Sequence, residues 1–338
     1  MNRRWQNGFF LFGLAVLVVM VTQLDFAQTW DGLQRAGYWA VAVIVLWAFL
    51  YVFNTAAWWL IISSQQATDF SVAAHAPVSF GWLYKVTVSG FALNYATPGG
   101  LMGGEPYKIL MLKEKIGTER ATASVILHTM THIFSHFWFW LCAVVLYVAT
   151  QPMTLLMCVL LPLIAAFCIA AIWFFLRGYK RGITVWAMRL LGHIPLVARW
   201  AEPFLRRHAE RLAAIDAQIA ALHNQNRQTF VAAVVLEWTC RMVSALEILF
   251  VLLVIMPSAN YVQSVLILAF TSLFANMLFF IPLQLGGREG GFLMSTGGLG
   301  MTASAGIFVA LIVRVRELVW TGIGLLLIKM SKKTATES

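Results

Sequence analysis

Charge is what this chain has least of. Asp, Glu, Lys and Arg together supply 11% of its 338 residues, less than half the share of about a quarter found in soluble domains. So little charge cannot cover a water-facing surface, which excludes an ordinary soluble globular protein. Cysteine is equally sparse. Cys142, Cys158, Cys168 and Cys240 all fall inside apolar stretches, without a CxxC metal spacing or a disulfide framework, and read as small buried side chains. There is no GxxxxGK[ST] loop, so this chain does not hydrolyse ATP, and no HExxH zinc pattern. No cofactor, metal or nucleic-acid partner is expected, and no polar stretch is long enough for a separate catalytic domain.

What fills the chain is hydrocarbon. Hydrophobic residues make up 60% of it and the mean hydropathy is +0.78, the composition of a polytopic membrane protein. Six segments, 8–24, 37–63, 121–149, 153–176, 230–256 and 306–328, suit helices crossing a core ~30 Å thick. Two more apolar regions, 82–112 and 262–299, are interrupted by glycines. Arg3 and Arg4 ahead of an apolar run resemble a signal peptide, but no small-residue cleavage site follows, so 8–24 is taken as the first transmembrane helix.

The net charge of +10 is unevenly spread. Arg177, Lys180, Arg181, Arg189, Arg199, Arg206, Arg207, Arg211 and Arg227 share one loop, Lys113, Lys115 and Arg120 another, and Lys329, Lys332 and Lys333 the C-terminus. The connectors 149–152, 257–262 and 297–305 have no positive charge, and 25–36 has Arg35 beside Asp25 and Asp31. The positive-inside rule makes the basic loops and both termini cytoplasmic. Region 82–112 must then enter and leave from the cytoplasm, and 262–299 from the outside. The expected fold is an all-α polytopic membrane domain, 1–338, with six spanning helices and two oppositely oriented re-entrant helical hairpins. Residues 1–152 and 153–338 form an inverted repeat, with 177–229 a cytoplasmic basic amphipathic insertion whose stretch 181–193 suits the membrane interface.

A repeated signature marks the two breaks. Pro98-Gly99-Gly100-Leu101-Met102-Gly103-Gly104-Glu105 is matched by Pro282-Leu283-Gln284-Leu285-Gly286-Gly287-Arg288-Glu289, and each is followed by an apolar segment and then Gly117-Thr118 or Gly300-Met301-Thr302. Paired broken helices are the sequence pointer to a transporter's binding site. A half-helix starting inside the membrane presents free N–H groups and a positive dipole end to an anion. The hairpin tips are therefore candidate headgroup sites, with Lys108, Arg288 and Arg314 as companions able to bind phosphate oxygens. Glu105 and Glu289 either complement the helix dipole or take part in binding or proton exchange. Intramembrane charges are costly and usually face a polar path. Glu237 with Arg241, and Arg314 or Arg316 with Glu317, have the spacing of ion pairs on one helix face.

His128, His132 and His136 recur every four residues and share one face. They can relay protons, line a polar cavity or simply pack through hydrogen bonds. Phe134, Phe137, Trp138, Phe139 and Trp140 read as lipid-facing or interfacial anchors.

Over Pro98 to Ser124 and Pro282 to Arg314, and along most of its length, the chain resembles the lysylphosphatidylglycerol synthase transmembrane-region family, also called flippase-like membrane proteins. The resemblance implies an inner-membrane protein that moves lipids between leaflets. Bifunctional members carry a soluble aminoacyl-transferase domain after the membrane region, whereas this sequence reaches Ser338 just beyond its last span, so synthase activity is not expected. The substrate would be a membrane lipid with an anionic or zwitterionic headgroup, moved by alternating access. The competing expectations are an intramembrane enzyme acting on a lipid phosphate or lipid-linked sugar, and a proton-coupled carrier of a small anion.

Overall fold

The computed structural model describes residues 18, 26–67, 78–96, 103–178, 227–277 and 287–330. Among these there are ten helices and no strand: α1 (Phe26–Ala36), α2 (Tyr38–Ala67), α3 (Phe80–Ala96), α4 (Gly104–Ile116), α5 (Thr118–Thr150), α6 (Leu155–Gly178), α7 (Arg227–Ile255), α8 (Tyr261–Met277), α9 (Gly287–Gly298) and α10 (Ala303–Met330). Four of them, α2, α5, α6 and α7, are long and apolar enough to span a membrane. Helix α10 is as long, but Arg314, Arg316 and Glu317 interrupt its apolar run. The expected span 8–24, apart from Val18, and nearly all of the insertion 177–229 lie outside the described residues. One connector is corrected: 25–36 is largely a helix, α1, separated from α2 at Gly37, whose φ of +52° suits a residue without a Cβ.

Each glycine-broken region is a pair of short helices packed antiparallel. In the first, Gly104 at the start of α4 lies against the Gly90 carbonyl and Asn94 of α3, while Lys108, a turn later, crosses Gly90. The backbone N–H of Gly104 donates to Asn94 Oδ1 at 2.8 Å, so one of the free donors at the start of α4 is already satisfied from the opposite arm. In the second, Gly291 of α9 sits against Thr271 of α8, and the Thr271 and Ser295 hydroxyls are 3.1 Å apart. Small residues let the arms approach closely and hydroxyls join them, as in membrane helix pairs generally. Both hairpins hand over to their next helix through a left-handed glycine, Gly117 at φ +84° and Gly300 at φ +74°.

The packing of α2–α5 recurs among α7–α10. Helix α3 packs on α4 as α8 does on α9, and α4 on α5 as α9 does on α10. Likewise α2 packs on α3 and α5, as α7 packs on α8 and α10. Across the halves, α3 lies on α10 as α8 lies on α5, and α2 pairs with α7. That central pair is antiparallel, since Trp47 meets Glu247 while Asn54 meets Cys240 and Glu237.

Helix α6 packs on α5 and turns most of its apolar surface outward. Leu155, Leu163, Phe167 and Trp173 are all exposed, the pattern of a helix whose solvent is lipid. The cluster Phe134 to Trp140 behaves otherwise: Phe134, Phe137, Phe139 and Trp140 are buried, and Trp138 alone is exposed. The expectation of lipid-facing anchors fails because α5 is covered by α2, α4, α6, α7 and α8, leaving it little outer face. Among the cysteines, all free, Cys168 and Cys240 are buried and Cys158 is exposed.

Candidate functional site

Three groups of buried charge sit where the hairpins meet the long helices. The smallest belongs to the first hairpin. Glu105, in the first turn of α4, accepts from Asn94 Nδ2 at 3.2 Å and from Lys108 Nζ at 3.5 Å. Its other oxygen, Oε2, is buried without a hydrogen-bond partner among the described residues. Lys108 is buried, its ammonium 4.9 Å from the Phe91 ring centroid and 5.7 Å from that of Trp58. One carboxylate and two ring faces replace the water a lysine loses on burial.

The largest group gathers on α10. Arg316 grips Glu247 of α7 through contacts of 2.8 and 3.3 Å, stacks over the Trp47 ring at 3.8 Å, and donates to Tyr95 Oη at 3.3 Å. Arg314 pairs with Glu317 at 3.3 Å and with Glu289, and Arg288 pairs with Glu317. Arg288, Arg314 and Arg316 therefore face Glu247, Glu289 and Glu317 in a charge-balanced network. Tyr95 comes from the last turn of α3 and Arg288 from the first turn of α9, so the tips of both hairpins touch it. Exposure grades across the network: Arg316 and Glu247 are 1% and 3% exposed, whereas Arg288 and Glu289 reach 26% and 37%. One end of the network is sealed, while the other is partly exposed.

Residues 8–324 match the lysylphosphatidylglycerol synthase TM region family. The chain belongs to that family. No curated protein and no solved structure matches it. Membership and helix content together make this a multi-pass helical membrane protein.

In this family member the third group joins α5, α7 and α2. Glu237 lies with Oε2 2.8 Å from His132 Nδ1 and 3.2 Å from Asn54 Nδ2, and with Oε1 3.2 Å from His128 Nε2. His128 Nε2 is also 3.2 Å from the Asn54 carbonyl. With acceptors on both sides, that nitrogen carries its proton. The contact to Glu237 Oε1 is an ion-pair distance without hydrogen-bond alignment, which is why Oε1 has no hydrogen bond. The anticipated Glu237 to Arg241 pairing is replaced: Arg241 donates to Ser135 Oγ at 2.8 Å and to the His132 carbonyl at 3.0 Å. The histidines do line one face, with the His132 and His136 rings 5.5 Å apart.

Gly99, Gly100 and Gly286 lie outside the described residues, and Gly103, Gly104 and Gly287 stand at the starts of α4 and α9. Glu105 with Lys108, and Arg288, Glu289 and Arg314 with Glu317, are brought together as two separate clusters. Asn54, Trp47, Asn94, Tyr95 and Glu247 were not singled out in the sequence. Glu247 alone carried a signal, an acid in an apolar helix; its arginine partner is 69 residues away, beyond any helical spacing.

Proposed function

We propose that this protein moves a lipid with a phosphate-bearing headgroup between leaflets by alternating access, and that the headgroup binds at the open end of the α10 network. The observation that carries the reading is the convergence of Tyr95 and Arg288, from two different hairpins, on Arg316 and Glu317 of one helix. A headgroup phosphate would compete with Glu317 and Glu289 for Arg288 and Arg314, the two arginines nearest the exposed end, while acyl chains stay in lipid. Bidentate arginine contacts suit phosphate oxygens. Glu289 would answer any positive charge on a zwitterionic headgroup.

The recurrence of packing between α2–α5 and α7–α10, with α2 and α7 antiparallel, supports an inverted repeat of two oppositely oriented re-entrant hairpins. The repeats span 1–152 and 153–338, and the basic segment 177–229 and both termini face the cytoplasm of an inner membrane. This is a carrier reading rather than an enzymatic one: exchange of ion-pair partners at the open end lets the site rearrange without a covalent step.

Reconstitution of the full chain into vesicles containing fluorescent phosphatidylglycerol or phosphatidylethanolamine tests it. Dithionite-accessible label should equilibrate between leaflets faster than in protein-free vesicles, and an Arg288→Ala plus Arg314→Ala variant should be slower. Rates equal to those of protein-free vesicles would overturn the reading.

A further inference from the structure

The histidine cluster is not needed to hold a headgroup. It is separated from the α10 network along α7, where Glu237 and Glu247 stand ten residues, or about 15 Å, apart. Yet it concentrates titratable groups where the bundle could have used leucine. We propose that Glu237, His128 and His132 form a proton-binding site whose occupancy drives the first hairpin, making lipid movement proton-coupled. This rests on the carrier reading above.

Geometry gives the site its chemistry. His132 Nδ1 is hydrogen-bonded to one oxygen of the Glu237 carboxylate, where Asn54 Nδ2 adds a second contact, and His128 Nε2 lies 3.2 Å from the other oxygen. With those nitrogens occupied, an incoming proton goes to the far nitrogen of His132 and turns the ring into an imidazolium facing Glu237. An N–H bond forms at that nitrogen on uptake and breaks again on release, and no other covalent bond changes. Glu237 is fully buried and His128 nearly so, while His132 is 25% exposed, which makes His132 the most accessible of the three. His136 extends the row on the same helix, and its Nδ1 is buried without a partner among the described residues. An unperturbed histidine is the side chain whose charge changes at roughly pH 5 to 8.

Few other charges face this carboxylate. Arg241 is the nearest: its guanidinium donates to Ser135 Oγ and to the His132 carbonyl, so this cation stands beside the ring that takes the proton. Helix α2 brings Tyr51 and no acid or base of the Asp, Glu, Lys, Arg or His types, and α8 brings Tyr261 alone. Cys240 shares α7 with Glu237 and receives the Asn54 amide. On α10, Arg316 is committed to Glu247, and Arg314 with Glu317 belongs to the headgroup network. Asp31 and Arg35 lie on α1, which meets α7 at its other end, where Phe250 stacks with Trp39 just after α1. Lys108 approaches from α4.

Lys108 supplies the link to the hairpin. The Phe91 ring of α3 has Lys108 Nζ 4.9 Å from its centroid and the His132 ring 5.9 Å away, and Lys108 in turn holds Glu105. A charged His132 would place a second cation against the ring that already serves Lys108. Protonation therefore favours one position of the hairpin arm and release another, which is the differential interaction a coupled shift requires.

The test uses the full chain in phosphatidylethanolamine and phosphatidylglycerol vesicles, with fluorescent forms of both lipids. The membrane potential is clamped, and leaflet distributions are read with and without an imposed pH gradient. For one proton per lipid, a tenfold proton gradient sustains a leaflet ratio of up to about tenfold in the wild type, the two quantities being related by the same free energy. His132→Gln and Glu237→Gln should lose that bias, the first serving where the buried glutamate variant fails to fold. Arg288→Ala should reach the biased ratio slowly, because it affects binding and not coupling. Lipid movement with the same leaflet ratio under both conditions overturns the proton site and leaves the carrier reading standing. No lipid movement under either condition overturns the carrier reading, and the coupling with it.

Discussion

Arg316 and Glu247 meet through two guanidinium to carboxylate contacts of 2.8 and 3.3 Å, 69 residues apart in the chain. The Trp47 ring lies over the guanidinium, and the Trp47 indole N–H donates to the same carboxylate at 3.0 Å. Helices α2, α7 and α10 are thereby joined at one buried point, which holds the sealed end of the charge network in place.

Glu247→Ala should lower stability by about 3–5 kcal/mol, since removing one partner strands a buried charge. Replacing both, Glu247→Leu with Arg316→Met, should recover most of that loss. Thermal unfolding in detergent, followed by intrinsic fluorescence, reads the difference, and a double variant no better than the single one would contradict it.

Gly104→Ala should force the arms of the first hairpin apart, because an added Cβ would meet the Gly90 carbonyl and lie 2.7 Å from Asn94 Oδ1. Overpacking of this kind costs about 1–3 kcal/mol. Gly81→Ala, on the same hairpin with open space around it, should melt no lower than the wild type.

Arg288→Ala should slow lipid equilibration about tenfold or more, the kinetic equivalent of losing a charge-assisted hydrogen bond worth about 1.5–3 kcal/mol. Arg288→Lys should lose less, since it keeps the charge but not the bidentate fork. The dithionite assay compares the three proteins, and equal rates would remove Arg288 from the binding site.

Glu119→Cys and Ala303→Cys, each in a background without the four native cysteines, place a thiol at the exposed starts of α5 and α10. An inverted repeat requires a membrane-impermeant maleimide to label them from opposite sides. Labelling from one side would end the inverted arrangement.

The hairpins were legible because their cause is local. A Gly-Gly pair after proline interrupts an apolar run whatever surrounds it, and the left-handed Gly117 and Gly300 follow each break at matching distance. The spacing of Arg314 and Glu317 likewise foretold a contact within one helical turn. Spacing failed for Glu237 and Arg241, which are equally well placed on their helix, because two histidines and an asparagine from other helices reach the carboxylate and Ser135 draws the guanidinium away. It failed too for the aromatic run of α5: which side of a uniformly apolar helix faces lipid depends on its neighbours and not on its own period.

The sequence by itself determined that the chain is a helical membrane protein, where its helices break, and that ionisable residues are stranded among apolar ones, since each follows from short-range sterics and the cost of burying charge. Only the tertiary structure decided which charge answers which. A buried ion needs a partner within a few ångströms in space, and in this bundle that partner most often comes from another helix, at a distance along the chain that no periodicity encodes.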